Sequence, residues 1–156
     1  MKITFPKTAP IQIVQVGAGG TGSYTSPKLH KKAFAIKKLS RREISITTID
    51  KDHVTPGNIG RQNFCPDDAD EEKSKEERKK ARIMATRYGS GYGIESTYYA
   101  KFLVDTRESF LASLTEAQRL SLSEEEVEEM TMDYEQFINV LTPKTKKHMV
   151  ILIGCV

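Results

Sequence analysis

The chain has 156 residues, with 24 lysines and arginines against 21 aspartates and glutamates, so its net charge is +3. This length suits one domain with a hydrophobic core, and so small a charge gives no reason to expect a nucleic-acid partner. The sequence has neither an apolar run of the ~20 residues that span a membrane nor a signal-peptide core, which predicts a cytoplasmic protein without a membrane partner. Of its two cysteines, Cys65 and Cys155, the second lies in an apolar run and is expected to be a buried, reduced thiol.

The most informative stretch is an apolar run, Ile11 to Val16, that stops at a glycine cluster. The cluster reads G-x-G-x-x-G through Gly17, Gly19 and Gly22, which is typical of a buried parallel strand turning sharply into a helix. The N-terminus of such a helix favours a nucleotide phosphate. A tight turn without a ligand is the alternative, because a lone glycine fingerprint is a weak signal.

The helix after the glycines is predicted to run from about Gly20 into the late thirties. Pro27 lies inside it and removes one backbone hydrogen bond, so a kink is expected there. Its lysines belong to a basic stretch, residues 28–42, for which a solvated surface is favoured over a patch that binds an acidic partner. The core face is expected from four residues: Leu29, Ala33, Phe34 and Ile36.

The second predicted strand, Glu43 to Ile49, is rich in isoleucine and threonine and ends at Asp50. An acid at the carboxyl end of this strand can accept hydrogen bonds from ribose hydroxyls, although its distance from the glycines exceeds the ~20 residues that are usual. The polar loop that follows, residues 51–66, lies at the edge where function concentrates. Within it Arg61 can hold a phosphate through two parallel N–H bonds, and Asn58 can donate to another oxygen. An ordinary loop acid and a surface salt bridge are the alternatives for Asp50 and Arg61.

The middle of the chain predicts one charged helix and one strand. Residues Asp67 to Tyr88 allow i,i+4 ion pairs, and the glycine-rich stretch Tyr88 to Gly93 is expected to end the helix. Ile94 to Val104 then predicts the third strand.

The last third predicts two helices between Thr106 and Leu141 and a fourth buried strand, Met149 to Val156. Ser123 to Glu126 has the capping-box pattern that starts the second helix. Six residues of that helix recur at helical spacing and are expected in the core: Val127, Met130, Tyr134, Phe137, Ile138 and Leu141.

Strands that alternate with helices predict an α/β fold, a Rossmann-like, mostly parallel sheet with flanking helices. We expect a single nucleotide-binding domain over residues 1–156, with a helical insertion at about 106–145. The sheet is expected to be incomplete at the C-terminus, because no helix follows the last strand.

Three segments of this sequence resemble the ThiF/MoeB family of ATP-dependent activating enzymes, which are related to the ubiquitin-activating enzymes. The segments are Val16-Gly-Ala-Gly-Gly-Thr-Gly-Ser23, Ile49-Asp-Lys-Asp52 and Asn58-Ile-Gly-Arg-Gln-Asn63. Lys80-Ala-Arg-Ile-Met-Ala85 is similar to the family's lysine-bearing helix, and residues 150–156 to the strand before its metal-site aspartate. Within the family, these segments are most similar to the ThiF-like proteins of bacterial mobile-element clusters.

The resemblance implies that ATP lies over the glycine loop and that Asp50 holds the ribose. It also implies that Arg61, Asn58 and Lys80 contact the triphosphate, with Arg61 and Lys80 as the catalytic residues. Gln62 orients Arg61 or a phosphate oxygen in this scheme, and Lys79 competes with Lys80 for the lysine role. The implied nucleotide-binding set comprises Gly17, Gly19, Gly20, Gly22, Asp50, Asp52, Asn58, Arg61, Gln62 and Lys80.

The family uses ATP, with Mg²⁺, to adenylate the C-terminal carboxylate of a small ubiquitin-fold or sulfur-carrier protein. The carboxylate attacks the α-phosphorus, pyrophosphate leaves and an acyl-adenylate forms. Members often dimerise, so a homodimer is expected.

The chain departs from the family pattern because the aspartate that helps to hold Mg²⁺ is missing after the last strand. We therefore assign no metal ligand, expect a truncated gene product or a fragment, and leave open whether the chain turns over ATP. A non-catalytic remnant that binds a nucleotide or a partner is one alternative. An NAD-dependent oxidoreductase is a weaker one, since the pair Arg61-Gln62 has no role there.

Overall fold

The computed structural model describes residues 9–142 and 149–155, which fall into two compact units. The first unit holds the described residues up to Ala100 and those from Met149 onwards, and the second is Lys101–Thr142. The ends of the predicted helical segment 106–145 and of the predicted strand Met149–Val156 lie outside the described residues. Among the described residues, no helix combines the length and the apolar character that crossing a membrane requires.

The strands in chain order are β1 (Ile11–Val16), β2 (Ile44–Ile49), β3 (Glu95–Tyr99), β4 (Phe102–Leu103), β5 (Thr131–Met132) and β6 (Met149–Gly154). The α-helices are α1 (Gly20–Ser40), α2 (Lys80–Tyr92), α3 (Arg107–Ala112), α4 (Glu116–Leu120), α5 (Glu124–Met130) and α6 (Tyr134–Leu141). Two short 3₁₀ turns cover Pro56–Asn58 and Pro66–Ala69.

The first unit is built on a four-stranded parallel sheet in the order β3-β2-β1-β6. Ile11 lies opposite Ile44 on one side and Met149 on the other. Alternate isoleucines of β1 and β2 form the buried core with Ala33 of α1. This arrangement confirms the α/β, Rossmann-like fold. The chain runs outward from β1 in one direction through β2 and β3, and β6 lies on the other side of β1, so the strand order reverses beside β1.

The predictions for β1, for the start of α1 and for Pro27 inside α1 are confirmed. The predicted core face of α1 is wrong in part, because Phe34 and Ile36 are exposed. The buried stripe is small and polar instead: Gly22, Ser23, Ser26, His30 and Ala33. Four of these residues are small, which lets the helix lie close to the sheet, and the larger His30 contacts β3, with its Nε2 3.1 Å from Ser96 Oγ.

The predicted charged helix, Asp67 to Tyr88, is wrong in its first half. Turns occupy this stretch up to Lys79, and α2 begins at Lys80. Acidic side chains there bond to the backbone, as Asp68 does to the Cys65 N–H (2.9 Å) and Glu77 to the Ser74 N–H (3.0 Å). Such local bonds compete with helix formation.

The predicted end of this helix at Tyr88 is also wrong, because α2 continues through Gly89 to Tyr92 and ends at Gly93 in the left-handed region. A Cβ on Gly89 would lie 2.7 Å from the Ser96 side chain. Gly89 is therefore a close-packing residue between α2 and β3 and not a helix breaker.

The third strand is shorter than predicted, since β3 ends at Tyr99 and residues 102–103 form β4 of the second unit. Among the described strands β6 is at the edge of the sheet, so the prediction of a buried strand is wrong: Ile151 is 39% and Leu152 52% exposed. Cys155, directly after β6, is buried and unpaired, as predicted.

The second unit contains α3 to α6 and the two-residue parallel pair of β4 with β5. The capping box that starts α5 is confirmed, with the Ser123 N–H 2.7 Å from Glu126 Oε2. The single helix predicted beyond it is interrupted by β5, and Asp133 caps a new helix, α6. Val127 is buried as predicted, whereas Met130, Tyr134 and Ile138 of the predicted core are exposed.

Candidate functional site

The glycine loop, residues 17–22, lies at the carboxyl end of β1 where the strand order reverses. The Gly17 N–H donates to Ile49 O (2.8 Å), and the Cys155 N–H donates to Val16 O (2.7 Å), so both neighbouring strands hold its start. Gly17 has φ +93°, and a Cβ there would collide with the carbonyl oxygen of Cys155. A Cβ on Gly22 would collide with the carbonyl oxygen of Gly17. These two glycines are thus required for the loop to close.

Gly19 and Gly20 have a different environment, because a Cβ on either would meet no described atom within 4 Å beyond its chain neighbours and the adjoining backbone of α1. They lie at the N-terminus of α1, a 21-residue helix whose first turn has no acidic residue. Among the described residues, no side chain caps this end of the helix. Unpaired N–H groups, the positive end of the helix dipole and open space are what an anionic phosphate requires.

Gln15 is a residue of the site that the sequence analysis missed. It is fully buried in β1, and its Nε2 donates to the carbonyl oxygens of Gly17 (2.8 Å) and Gly22 (3.0 Å). The Gln15 amide therefore connects the two ends of the glycine loop. A polar residue between two valines of a buried strand was the signal in the sequence.

Asp50 lies at the carboxyl end of β2, beside the glycine loop. Its Oδ2 accepts the Ala18 N–H (2.6 Å), and its Oδ1 accepts the Asp52 N–H (2.8 Å). The carboxylate thereby holds the glycine loop against β2. An ionised carboxylate has about four acceptor positions, so these two bonds leave capacity for hydroxyl groups.

Lys80 and Asp52 form an ion pair next to this edge of the sheet. Lys80 is only 5% exposed, and its Nζ lies 3.4 Å from Asp52 Oδ2. The Lys80 N–H also donates to Asp52 O (2.9 Å), which fixes the start of α2. A buried ammonium is costly unless it is paired, so this lysine is held in place. Lys79 is half-buried and pairs its backbone with His53.

The pKa of Asp52 lies below its ordinary value. Partial burial raises the pKa of this carboxyl, but the hydrogen bond from Lys51 and the charge of Lys80 outweigh that effect. Asp52 is therefore ionised at neutral pH, and its negative charge balances the buried ammonium of Lys80.

The polar loop presents the remaining predicted residues. Asn58 is buried, and its Oδ1 accepts the Thr55 N–H (3.1 Å). Arg61 is exposed, and its Nε donates to Gly57 O (2.9 Å), which attaches the guanidinium to the loop. The Gln62 N–H donates to Asn58 O (3.0 Å), and Gln62 Oε1 is buried without a partner among the described residues.

A second hydrophobic cluster lies under the site and joins the glycine loop, the polar loop and α2. Its buried members are Ala18, Val54, Phe64, Ala69, Ile83 and Met84. This cluster fixes the three segments against each other within the first unit.

The donor set fits a nucleotide phosphate better than a protein-bound metal. Backbone N–H groups border the open space at the start of α1, the cationic side chains of Arg61 and Lys80 belong to the same unit, and Asp50 and Asp52 are engaged as described above. No group of three or more histidine, cysteine or acidic side chains suited to a metal ion occurs in residues 9–142 and 149–155. We assign no Mg²⁺ ligand to the chain.

No protein-family model matches the sequence, and no curated protein does. Among solved structures, the crystal structure of E. coli MccB with ATP is 22% identical, with a TM-score of 0.44 over 70% of this chain and 27% of that chain. The microcin C7 biosynthetic enzyme MccB in complex with N-formylated MccA is 24% identical, with a TM-score of 0.42 over 69% and 26%. The chain thus spans about a quarter of the length of these structures.

Proposed function

We propose that this chain is the ATP-binding part of an adenylyltransferase that activates the C-terminal carboxylate of a ubiquitin-like or sulfur-carrier protein. The observation that carries the proposal is the open space over Gly19 and Gly20 at the N-terminus of α1, in a unit that also holds the buried Lys80 and the exposed Arg61. These four residues are also among those that the ThiF/MoeB resemblance assigns to ATP, and this agreement supports the choice of reaction.

The proposed roles follow from the contacts of each group. Gly17 and Gly22 shape the loop, and Gly19 and Gly20 leave room for phosphate oxygens. Asp50 accepts hydrogen bonds from the ribose while it holds the loop at Ala18. A nucleotide in this position would meet the backbone N–H groups first and the side chains of the polar loop second.

Charge explains why cations are needed for this chemistry. A carboxylate and a triphosphate repel each other, and the leaving pyrophosphate gains negative charge, so fixed cations stabilise the transition state. Lys80 is suited to this role because burial and Asp52 keep its ammonium in one place. Arg61 is suited to binding because its exposed guanidinium can make two parallel bonds to a phosphate.

Mg²⁺ would screen the phosphate charges when it is bound, and phosphate oxygens are ligands that it accepts. The partners in this proposal are the small carrier protein and a second copy of the chain.

The test is calorimetric titration of the 156-residue chain with Mg·ATP, with NAD as the control ligand. Selective binding of ATP is the expected result, and ATP–pyrophosphate exchange driven by a candidate carrier protein would then establish adenylation. Preference for NAD would replace the proposal with a dehydrogenase. ATP binding without exchange by any carrier would favour a non-catalytic nucleotide-binding protein.

A further inference from the structure

Asn63 joins the polar loop to the helix that begins at the glycine loop. Its backbone N–H donates to Ser23 Oγ (3.0 Å), and its side-chain Nδ2 donates to Ser23 O (3.1 Å) and to the Tyr88 hydroxyl (2.9 Å). Ser23 is fully buried and directly follows Gly22. One residue therefore connects three segments: the start of α1, the polar loop and α2.

The acceptor on α1 is available because of Pro27. In an α-helix the carbonyl of residue 23 accepts the N–H of residue 27, and proline has no N–H. Ser23 O is thus left without its helical partner, and an unpaired buried carbonyl is unfavourable. Asn63 supplies the missing donor from 40 residues away in the sequence.

The Ser23 hydroxyl extends this connection to the glycines. It accepts the Asn63 N–H and donates to Gly20 O (3.3 Å). Asn63 is therefore connected through the Ser23 side chain to Gly20, the residue at the N-terminus of α1 beside the open space. On the other side, Asn63 directly follows Gln62 and lies two residues after Arg61.

We infer that Asn63 is a positioning residue that locks the loop segment 58–62 onto the first turn of α1, with Pro27 freeing the acceptor. This inference rests on the proposed function, in which Gly19 and Gly20 leave room for the oxygens of one phosphate and Arg61 of the loop binds a phosphate farther along the triphosphate. Loss of the lock weakens contacts to the outer phosphates and leaves those to the nucleoside and the first phosphate.

The site retains its fold without Asn63, because other contacts hold the loop. Val54 and Phe64 lie on either side of the segment and are buried in the cluster with Ala18 and Met84. Removal of the Asn63 side chain leaves its backbone N–H bond to Ser23 intact. Only the tip of the loop is expected to shift.

The experiment compares ATP with AMP in the full chain. For Asn63→Ala we expect about a tenfold weaker affinity for ATP and an unchanged affinity for AMP, since a misplaced binding group acts only on the ligand that reaches it. Asn139→Ala, the same change at an exposed position of α6, is the matched control and should alter neither affinity. Equal losses for ATP and AMP, or no loss for either, would overturn the inference.

A thermal cycle with Pro27→Ala tests the lock without any nucleotide. An alanine at position 27 restores the N–H that bonds Ser23 O, so the fall in Tm caused by Asn63→Ala should be smaller in that background. Equal falls in both backgrounds would show that the two residues do not share this carbonyl and would refute the lock. Failure of the wild-type chain to bind ATP is a distinct result, since it overturns the proposed function and with it the role of the lock in nucleotide binding.

Discussion

Two glycines of the same motif are expected to respond to alanine in opposite ways. In Gly22→Ala the new Cβ would press on the carbonyl oxygen of Gly17 and lie 3.1 Å from Gln15 Nε2. In Gly20→Ala it would enter space that no described atom occupies within 4 Å. Gly22→Ala is therefore expected to lower the stability of the fold, and Gly20→Ala to weaken ligand binding.

The magnitudes follow from these environments. Overpacking costs ~1–3 kcal/mol, and one kcal/mol shifts Tm by ~2–4 °C in a chain of this size, so Gly22→Ala should lower Tm by about 2–12 °C. Gly20→Ala should leave Tm unchanged or raise it slightly, because alanine is a better helix former than glycine. Its methyl group displaces one charge-assisted phosphate bond worth ~1.5–3 kcal/mol, which corresponds to about 10- to 140-fold in ATP affinity.

The assay is differential scanning fluorimetry of both variants, followed by calorimetric titration with Mg·ATP. The reasoning fails if Gly20→Ala loses as much thermal stability as Gly22→Ala. It also fails if Gly20→Ala binds ATP as the wild type does, since the open space would then not be the phosphate site.

Three further predictions concern side chains of the first unit. Arg61→Ala should weaken ATP binding with Tm unchanged, because an exposed loop arginine contributes little to stability; titration and a melting curve check both, and an unaltered dissociation constant would remove Arg61 from the site. Lys80→Met should abolish adenylation measured by pyrophosphate exchange, whereas Lys79→Met, its neighbour, should retain it; equal losses would mean that the buried ammonium has no special role. Burial raises the pKa of Asp68, but the hydrogen bond and charge of Arg87 outweigh this and hold the pKa below its ordinary value. The resulting stability is fully present above pH ~3.9 and is lost as the pH falls further, so Asp68→Asn should show a shallower fall of Tm with acid, and parallel curves would contradict it.

Local patterns predicted the part of the fold that local physics determines. The run Ile11 to Val16 before the glycines predicted a strand, which is β1, and the glycine cluster predicted the start of α1 at Gly20. Contacts from distant segments decided the parts that failed. The acids after Pro66 allowed i,i+4 pairs, but such pairs contribute only ~0.2–0.5 kcal/mol each, and Asp68 instead pairs with Arg87 of α2.

Glycine content was misleading for a related reason. Gly89 predicted a helix end because glycine is unfavourable inside helices. In the structure it is a position at which α2 lies too close to Ser96 of β3 for a side chain to fit without a shift. A sequence shows that a position lacks a side chain, but whether this serves a turn or a close contact depends on a strand that lies elsewhere in the chain.

The candidate site shows the same division between what a motif contains and what holds it. The glycines, Asp50 and Arg61 could be found by pattern, whereas Gln15 and Asn63 act through contacts that no spacing rule describes. Pro27 nevertheless indicated the need for one of those contacts, because a proline inside a helix leaves the carbonyl four residues before it without a donor. The sequence indicated that the carbonyl of Ser23 needed a hydrogen-bond donor, and the fold determined that Asn63 supplies it. Prolines inside helices next to a glycine loop are therefore positions at which to look for a donor from another segment.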